Sequence, residues 1–304
     1  MTQIGTLVVL IGPTAVGKTD LSIEIAKKIG CPIISADSRQ VYRELRIGTA
    51  VPSSEQLAAV PHHFIQNKSV LDRFTAGMFE LEVLELLQEL FIHHPVVLMV
   101  GGSGLYIDAV CKGIDQIPAT NEKVREQLLL KLQNEGLQSL TEQLKALDPD
   151  FHDQVDLKNP NRVMRALEVC LVAGKPYSQL RNNFNNQRFF KTIMVGIARD
   201  RDDLYTRINS RVDAMMVEGL LEEAKALYPH RSNNALNTVG YRELFQYLDG
   251  QCSLEEAVEL IKRNTRRYAK RQLTWFSKYP IRWFSPSDSK EIITFLEEEI
   301  EEKE

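Results

Sequence analysis

The sequence predicts an α/β fold, in which helices flank a parallel sheet, with an all-helical insertion domain. Continuous apolar runs of strand length at residues 7–11, 95–100 and 192–198 are typical of strands buried on both faces of such a sheet. The interval 118–182 carries helical periodicity and no strand signal. We therefore expect a core in two parts, residues 1–117 and 183–304, with the helical insertion at residues 118–182 between them.

The first strand leads into a glycine-rich loop. Gly12-Pro13-Thr14-Ala15-Val16-Gly17-Lys18-Thr19 fits the phosphate-loop pattern G-x-x-x-x-G-K-[ST], and residues 20–29 continue as a helix that Gly30 ends. This order of strand, loop and helix indicates a P-loop NTPase-like fold. In such loops the backbone N–H groups, the helix N-terminus and the lysine attract phosphate oxygens, and the hydroxyl after the lysine binds Mg²⁺. The alternative is a turn that only tightens the packing. The motif favours a diphosphate site with Mg²⁺ on Thr19, formed by Gly12, Thr14, Ala15, Val16, Gly17, Lys18 and Thr19.

The second strand is predicted at residues 32–36, and it ends at Asp37-Ser38-Arg39-Gln40. Ligands bind at the carboxyl ends of the strands in open α/β sheets, so Asp37 is expected beside the phosphate loop. The alternative is that Asp37 caps a helix or a turn, as many residues of its type do after a strand.

The stretch from residue 46 to residue 71 shows little periodicity and contains His62-His63. We prefer loop packing to metal binding for this pair, because adjacent residues seldom bind one ion. A helix is predicted at residues 75–91. The next strand ends in Gly101-Gly102, where ATPases and GTPases with this loop carry an acidic residue that helps to hold Mg²⁺. The glycines indicate either the close approach of a ligand or a tight turn.

Arginines mark the insertion and the helix that follows the next strand. The insertion is predicted to form helices at residues 121–135, 137–147 and 162–172, with Arg125, Arg162 and Arg165 as candidates for binding a partner. Beyond the strand at 192–198, Arg207 and Arg211 share one helix face. They serve either as a clamp on departing phosphates or as surface partners of Asp203 or Asp213.

The last third of the chain is helical and locally basic. Residues 254–276 predict a long helix in which aromatic residues lie among the cations. These cations are Lys262, Arg263, Arg266, Arg267, Lys270 and Arg271, and Lys278 follows just beyond the helix. A basic stripe with aromatic side chains suits an RNA backbone and its unstacked bases, and we favour this interpretation over a solvated helix face.

The overall composition is that of an ordinary globular protein. The formal net charge is -4, but residues 297–304 contain six Glu and one Lys, which leaves a net of +1 for the rest of the chain. No apolar run approaches the ~20 residues of a membrane span. The four cysteines lie far apart, which argues against a zinc site or a disulfide framework. We expect a cytoplasmic, monomeric protein without a membrane contact or an obligatory protein partner.

Several motifs together resemble one family. In order along the chain they are residues 12–19, 34–38, 47–50, 100–106, 159–162, 239–242 and 268–272. This combination resembles the bacterial tRNA dimethylallyltransferases. That family transfers a dimethylallyl group from dimethylallyl diphosphate to N6 of the adenosine 3′-adjacent to the anticodon, in tRNAs that read U-starting codons.

The resemblance implies roles for particular residues. The phosphate loop would hold the diphosphate of the prenyl donor, with catalytic roles for Asp37 as proton acceptor, Thr19 with Mg²⁺, and Arg211 on the leaving diphosphate. The tRNA anticodon stem-loop would be the partner. Together with the basic helix, the resemblance assigns its contacts to Asp37, Ser38, Arg39, Gln40, Ser103, Arg125, Asn161, Arg162, Arg165, Asn237, Gly240, Tyr241, Arg242, Arg266, Lys270 and Arg271.

Two other functions fit parts of the sequence. A small-molecule kinase with a P-loop would use the same loop for ATP and the same arginine helix as a lid. An RNA-binding protein could use the loop as a regulatory nucleotide site. The basic aromatic helix and the insertion disfavour a compact kinase, and Asp37 beside the phosphates disfavours a regulatory switch.

Overall fold

The computed structural model describes residues 5–115, 117, 121–181 and 187–301. The chain forms two compact units, one from residues 1–111 with 187–304 and the other from residues 112–186. The second unit is somewhat wider than the predicted insertion. Residues 118 and 182, the predicted bounds, lie outside the described residues, as do the last three residues of the acidic C-terminus.

The first unit is built on one six-stranded parallel sheet. Its strands, β1 to β6 in chain order, are Thr6–Ile11, Ile33–Ser35, His62–His63, Val96–Gly101, Lys191–Ile197 and Arg282–Phe284. Their order across the sheet is β3-β2-β4-β1-β5-β6. In the central register Ile11 lies opposite Gly101 on one side and Gly196 on the other. The carboxyl ends of β1, β2, β4 and β5 therefore form one edge, as the predicted α/β class requires.

Two short strands differ from the sequence prediction. His62 and His63 do not lie in a loop: they pair with Ile33 and Ile34 as β3, and the His62 ring nitrogen Nδ1 lies 2.7 Å from the Val60 carbonyl oxygen. The prediction of loop packing is therefore wrong. β6 had no predicted counterpart, and its Trp283 covers Gly196 so closely that a Cβ there would lie 2.5 Å from the indole. Strands of two or three residues are too short to show an alternating pattern.

Thirteen α-helices occur in the described ranges. In chain order α1 to α13 are Lys18–Ile29, Ser54–Ala59, Ala76–Leu90, Gly104–Lys112, Glu122–Leu147, Pro149–His152, Pro160–Ala173, Tyr177–Leu180, Arg201–Val217, Leu220–Leu227, Tyr241–Leu248, Leu254–Phe276 and Ser289–Glu301. Within these ranges, none combines the length and the apolarity that crossing a bilayer requires. The predicted helix at 254–276 is confirmed at both ends.

The core of the first unit lies between the sheet and its flanking helices. One side is filled by apolar residues of β1, β4 and β5 with those of α1, α9 and α13, for example Val8, Ile25, Ile208 and Leu296. A continuous apolar strand pattern reflects this two-sided covering. The sheet is thereby fixed as a rigid platform, and the loops at its carboxyl edge hold the candidate site.

The second unit contains α5 to α8, and its described residues form no strand. Its core includes Leu128, Leu140, Leu144 and Leu167, which are all at most 3% exposed. Gly136 interrupts α5 with φ 80° and ψ 177°, which places the break where the sequence predicts one. The side chain of Asn159 caps α7 by accepting from the Arg162 N–H, and Pro160 takes the first helical position.

Candidate active site

The phosphate loop curls between β1 and α1. Gly17 lies in the left-handed region with φ 107°, and Ala15 also has a positive φ of 63°. At Gly12 a Cβ would lie 2.6 Å from the Ile197 carbonyl oxygen, so only glycine fits between the neighbouring strands. No described group accepts a hydrogen bond from the backbone N–H groups of residues 15–19. These N–H groups remain available to an anion, as in other loops that precede a helix N-terminus.

Lys18 lies inside the curve of this loop. Its ammonium donates to the carbonyl oxygens of Gly12 at 2.9 Å and Pro13 at 2.8 Å. Burial lowers the pKa of Lys18 to about 8, with Asp37 opposing the change and Arg211 adding to it. An anion that enters the loop would raise this pKa again, because it favours the charged form of the lysine.

Two arginines hold the outer side of the loop. Arg199 donates from Nε to the Val16 carbonyl oxygen at 2.8 Å, and Arg207 donates from Nε to the Ala15 carbonyl oxygen at 3.0 Å. Asp203 pairs with Arg199 at 2.9 Å, not with Arg207. The predicted surface pairing of Arg207 is thus replaced by a contact with the loop. Because the C=O and N–H groups of a trans peptide point in opposite directions, the N–H groups of these peptides point away from the arginines.

Arg211 lies one helical turn beyond Arg207 and has a different role. Its side chain is half-buried, and within the described residues its guanidinium makes no hydrogen bond or ion pair. Burial lowers the pKa of Arg211, an effect that the nearby charge of Asp37 opposes. A desolvated guanidinium without a carboxylate partner has five N–H donors to offer a ligand.

Asp37 combines the two interpretations given by the sequence. Its Oδ1 accepts hydrogen bonds from the backbone N–H groups of Arg39 at 2.8 Å and Gln40 at 3.2 Å, so it does cap a turn. Among the described residues no group donates to its Oδ2. Tyr268 lies nearby, and burial together with the charge of Asp37 raises the pKa of its phenol to about 12. One carboxylate oxygen therefore fixes the turn and the other remains free to accept a proton.

The glycines at the end of β4 make room for protein groups. A Cβ at Gly101 would lie 2.4 Å from the Ala36 carbonyl oxygen, and one at Gly102 would lie 2.1 Å from the Gln272 Nε2. The tight-turn interpretation is therefore closer to the structure than the close approach of a ligand. Gln272 of α12 takes the space beside the phosphate loop.

Two cavities meet at this edge of the sheet. The larger, about 870 Å³, is lined by the phosphate loop, by the segment 46–53 and by one face of α9. The smaller, about 300 Å³, is lined by residues 37–39, by residues 237–240 and by Arg242 and Arg271. Six residues line both: Thr14, Asp37, Thr49, Arg211, Met215 and Tyr268. An anion site and a second site thus share one border, and Asp37 lies at that border.

The predicted RNA-contacting residues of the core surround the smaller cavity in different ways. Asn237, Gly240 and Arg242 line it directly. The Ser103 hydroxyl oxygen accepts from the Ser38 N–H at 3.0 Å, which joins the ends of β2 and β4. Arg39 and Gln40 are engaged within the protein, with Arg39 donating to the carbonyls of residues 234 and 235 and Gln40 to those of residues 49 and 50.

Tyr241 requires a correction. Its side chain is 0% exposed, and its hydroxyl donates to Glu223 Oε1 at 2.6 Å. A fully buried phenol presents nothing to an RNA, so the predicted direct contact is wrong. Tyr241 instead packs under Gly48, where a Cβ would lie 2.6 Å from the phenolic oxygen. It supports the segment that lines both cavities.

The basic stripe of α12 divides into two groups. Lys262 pairs with Asp213 at 2.8 Å, and Arg266 donates to the Asn209 Oδ1 at 2.6 Å, so both contact α9. Lys270 and Arg271 are exposed, and the Arg271 guanidinium lies 5.8 Å from the centre of the Tyr268 ring. Only part of the stripe therefore remains available to a polyanion.

The helical unit carries its own arginine cluster. Arg125 and Arg165 flank the buried Glu168, with Nη1 to Oε2 distances of 3.6 Å and 3.3 Å. Two guanidiniums around one carboxylate leave one net positive charge. Asn161 and Arg162 are exposed in the first turn of α7, and within the described ranges the Arg162 guanidinium has no partner. All four predicted residues of this unit therefore lie near the start of α5 or in the first two turns of α7.

Comparison with known proteins agrees with this geometry. A protein-family model described as IPP transferase matches residues 40–279. The chain belongs to the IPP transferase family. It is 52% identical over 296 residues to tRNA dimethylallyltransferase 1 of Bacteroides fragilis, covering 97% of this chain and 98% of that protein. It is 51% identical over 296 residues to tRNA dimethylallyltransferase 2 of Parabacteroides distasonis, covering 97% and 99%.

Solved structures give the same assignment. The full-length tRNA isopentenylpyrophosphate transferase of Bacillus halodurans is 38% identical, with a TM-score of 0.72 and coverage of 98% of this chain and 97% of that one. A eukaryotic dimethylallyltransferase has a TM-score of 0.79 at 24% identity, covering 99% and 80%, and supports the fold alone. The family and the fold class predicted from the sequence are confirmed.

Three residues that shape the cavities escaped the sequence prediction of the site. They are Arg199 behind the phosphate loop, Tyr268 at the border of the cavities and Gln272 beside the end of β4. A signal exists for Gln272: it falls in the buried stripe of α12 with Ile261, Ala269 and Phe276, where a polar residue is unusual.

Proposed function

We propose that this protein transfers a dimethylallyl group from dimethylallyl diphosphate to N6 of the adenosine 3′-adjacent to the anticodon, in tRNAs that read U-starting codons. One observation carries the proposal: Asp37 and Arg211 lie at the border between a phosphate-loop cavity and a second cavity lined by predicted RNA-contacting segments. The names of the relatives support the same reaction.

The larger cavity suits the diphosphate leaving group. The free N–H groups of residues 15–19, the Lys18 ammonium and the unpaired Arg211 converge on it. An allylic diphosphate ionises when negative charge on the departing oxygens is stabilised, and donors fixed before the reaction do this most effectively. Apolar side chains of the same cavity, among them Ile47, Val51 and Met215, offer a surface to the five-carbon chain.

The smaller cavity suits the adenine that accepts the prenyl group. The base leaves the anticodon-loop stack, and its N6 attacks the allylic carbon while the bond from that carbon to the diphosphate oxygen breaks. The proton lost from N6 passes to the free Oδ2 of Asp37. General-base help of this kind contributes roughly 10² to 10⁴-fold. Asn237, Arg242, Lys270 and Arg271 hold the flanking RNA.

Magnesium fits the residues present at the phosphate loop. Within the described residues no cluster of three His, Cys, Asp or Glu side chains could hold a metal. Mg²⁺ commonly keeps several waters and binds through one or two protein groups plus substrate phosphates. Thr19 lines the larger cavity, and its hydroxyl would supply that protein group. When bound, the ion adds positive charge on the leaving diphosphate.

The site needs no second protein subunit, because residues of one chain line both cavities. We accordingly propose a monomer that acts on tRNA in the cytoplasm.

Incubation with labelled dimethylallyl diphosphate, Mg²⁺ and unmodified tRNA tests the proposal. We expect label in the RNA, at the adenosine next to the anticodon, and no label when that adenosine is replaced by guanosine. Phosphoryl transfer from ATP to a small molecule, without any prenyl transfer, would indicate the kinase alternative and overturn the proposal.

A further inference from the structure

Helix α12 buries one amide side chain beside the phosphate loop. Gln272 is 6% exposed. Burying an amide is costly unless its polar atoms find partners. Its Oε1 accepts from the Thr14 N–H at 2.8 Å, and its Nε2 donates to the Gly102 carbonyl oxygen at 3.0 Å. Because a backbone N–H only donates and a carbonyl only accepts, these two partners fix which way the amide faces.

The contact leaves no room for a side chain at position 102. A Cβ at Gly102 would lie 2.1 Å from the amide nitrogen, so a side chain there would expel Gln272. Thr14 is the third residue of the phosphate loop, directly before the run of free N–H groups. The amide therefore occupies the end of β4, the place where ATPases with this loop have an acidic residue, and fixes the peptide that leads into the anion site.

The same helix reaches the second cavity. Tyr268, one turn before Gln272, lines both cavities, and the adjacent Arg271 lines the smaller one. One turn later the Trp275 indole nitrogen donates to Asp108 Oδ2 of α4 at 3.0 Å, which fixes this part of the helix on α4. Gln272 is thus the direct link between the helix on the RNA side and the loop on the diphosphate side.

We propose that Gln272 is a positioning residue for the phosphate loop. It holds the Thr14 peptide so that the N–H groups of residues 15–19 converge on the diphosphate, and it ties this loop to α12. The inference rests on the proposed function for the identity of the substrate. The role in anion binding is tested separately.

The test compares Gln272→Met, an apolar side chain of similar length, with Gln272→Glu. Isothermal titration with magnesium diphosphate, without RNA or prenyl donor, measures the affinity of the loop. We expect Gln272→Met to bind roughly tenfold more weakly or worse, the scale of a buried group that loses its partner. The expected affinity of Gln272→Glu at mildly alkaline pH is lower still, because a carboxylate repels the anion and cannot donate to the Gly102 carbonyl.

Lowering the pH separates positioning from a merely structural role, because a structural role would leave the affinity of Gln272→Glu relative to wild type unchanged. A protonated carboxyl in Gln272→Glu can donate to the Gly102 carbonyl and still accept from Thr14, so its affinity relative to wild type should recover as the pH falls. The Gln251→Glu variant makes the same substitution at an exposed glutamine and so controls for the added charge. In steady-state assays the KM for the prenyl donor should rise while that for tRNA stays unchanged.

Two results would overturn the role of Gln272: wild-type affinity in a folded Gln272→Met protein, or no recovery of Gln272→Glu at acidic pH. The outcome does not depend on the proposed reaction. A wild-type protein that binds magnesium diphosphate but labels no tRNA refutes the proposed function and leaves the comparison of Gln272 variants intact.

Discussion

Replacing Glu223 by glutamine should loosen the segment that lines both cavities. The Glu223 carboxylate accepts four hydrogen bonds: from the N–H groups of Arg46 at 3.1 Å, Ile47 at 2.8 Å and Gly48 at 3.0 Å, and from the Tyr241 hydroxyl at 2.6 Å. Three successive N–H groups around one carboxylate hold this backbone as firmly as a bound anion would.

The magnitude follows from counting donors. In Glu223→Gln one oxygen becomes an NH₂ group. At the Oε2 position this group would face two N–H donors, those of Arg46 and Ile47, whereas at the Oε1 position it would face only the Gly48 N–H, because the Tyr241 hydroxyl can turn and accept. Each buried group that loses its partner costs about 1–3 kcal/mol. At least one N–H group thus loses its acceptor, and the remaining hydrogen bonds lose a charged acceptor, so we expect a loss of about 2–3 kcal/mol in the free energy of unfolding.

Urea unfolding and donor kinetics check this prediction. The unfolding midpoint of Glu223→Gln should fall, and the KM for the prenyl donor should rise because residues 46, 47, 49 and 50 line its cavity. Glu222→Gln is the matched control: that side chain is 69% exposed and only 3.5 Å from Lys225, so its effect should stay within about 0.5 kcal/mol. Equal midpoints for the two variants would refute the reasoning.

Three further predictions concern the catalytic and RNA-binding groups. Asp37→Ala should lower the single-turnover rate by two or more decades, roughly the scale of lost general-base help. The affinity for tRNA, measured by filter binding, should be almost unchanged. An unaltered rate would exclude Asp37 as the general base. Because the pKa of Lys18 is lowered to about 8 and a bound diphosphate raises it, binding should take up a proton near that pH and weaken as the pH rises through it. Calorimetry in buffers of different ionisation enthalpy measures the uptake, and none at that pH would contradict the assignment. Replacing Lys270 and Arg271 together by alanine should weaken tRNA binding and flatten its salt dependence. The Arg266→Ala variant should change the affinity and the salt dependence less, because Arg266 already contacts Asn209. Equal salt slopes for the two variants would exclude Lys270 and Arg271 from the RNA interface.

The framework of the fold was predictable because its signals are local. β1, β4 and β5 are six or seven residues long and apolar apart from one or two residues at the start of β1 and β5, and the phosphate loop is defined by eight consecutive residues. β3 and β6 were missed because two or three residues cannot show a period, and Trp283 of β6 remains 36% exposed.

The site was less predictable because its contacts span the whole chain. Spacing places Arg207 and Arg211 on one face of α9, yet Arg207 binds a loop carbonyl and Arg211 has no hydrogen-bond or ion-pair partner among the residues that the structure describes. Thr14 and Gln272 are 258 positions apart, and no local pattern pairs them. Tyr241 falls in a motif of the family, but its role is to fill the core beneath Gly48. Motifs thus indicated which residues matter, while packing decided what each one does.

The unpaired charge of Arg211 has a practical consequence for handling the protein. Lys18 and Arg211 repel each other across the cavity, and the acidic groups that oppose this effect are Asp37 and, at Arg211, Glu218. Any small oxyanion in the buffer relieves that repulsion and stabilises the folded chain by mass action. Phosphate or sulfate should therefore raise the melting temperature and compete with the prenyl donor. Affinities measured in such buffers will understate how strongly the loop attracts its substrate.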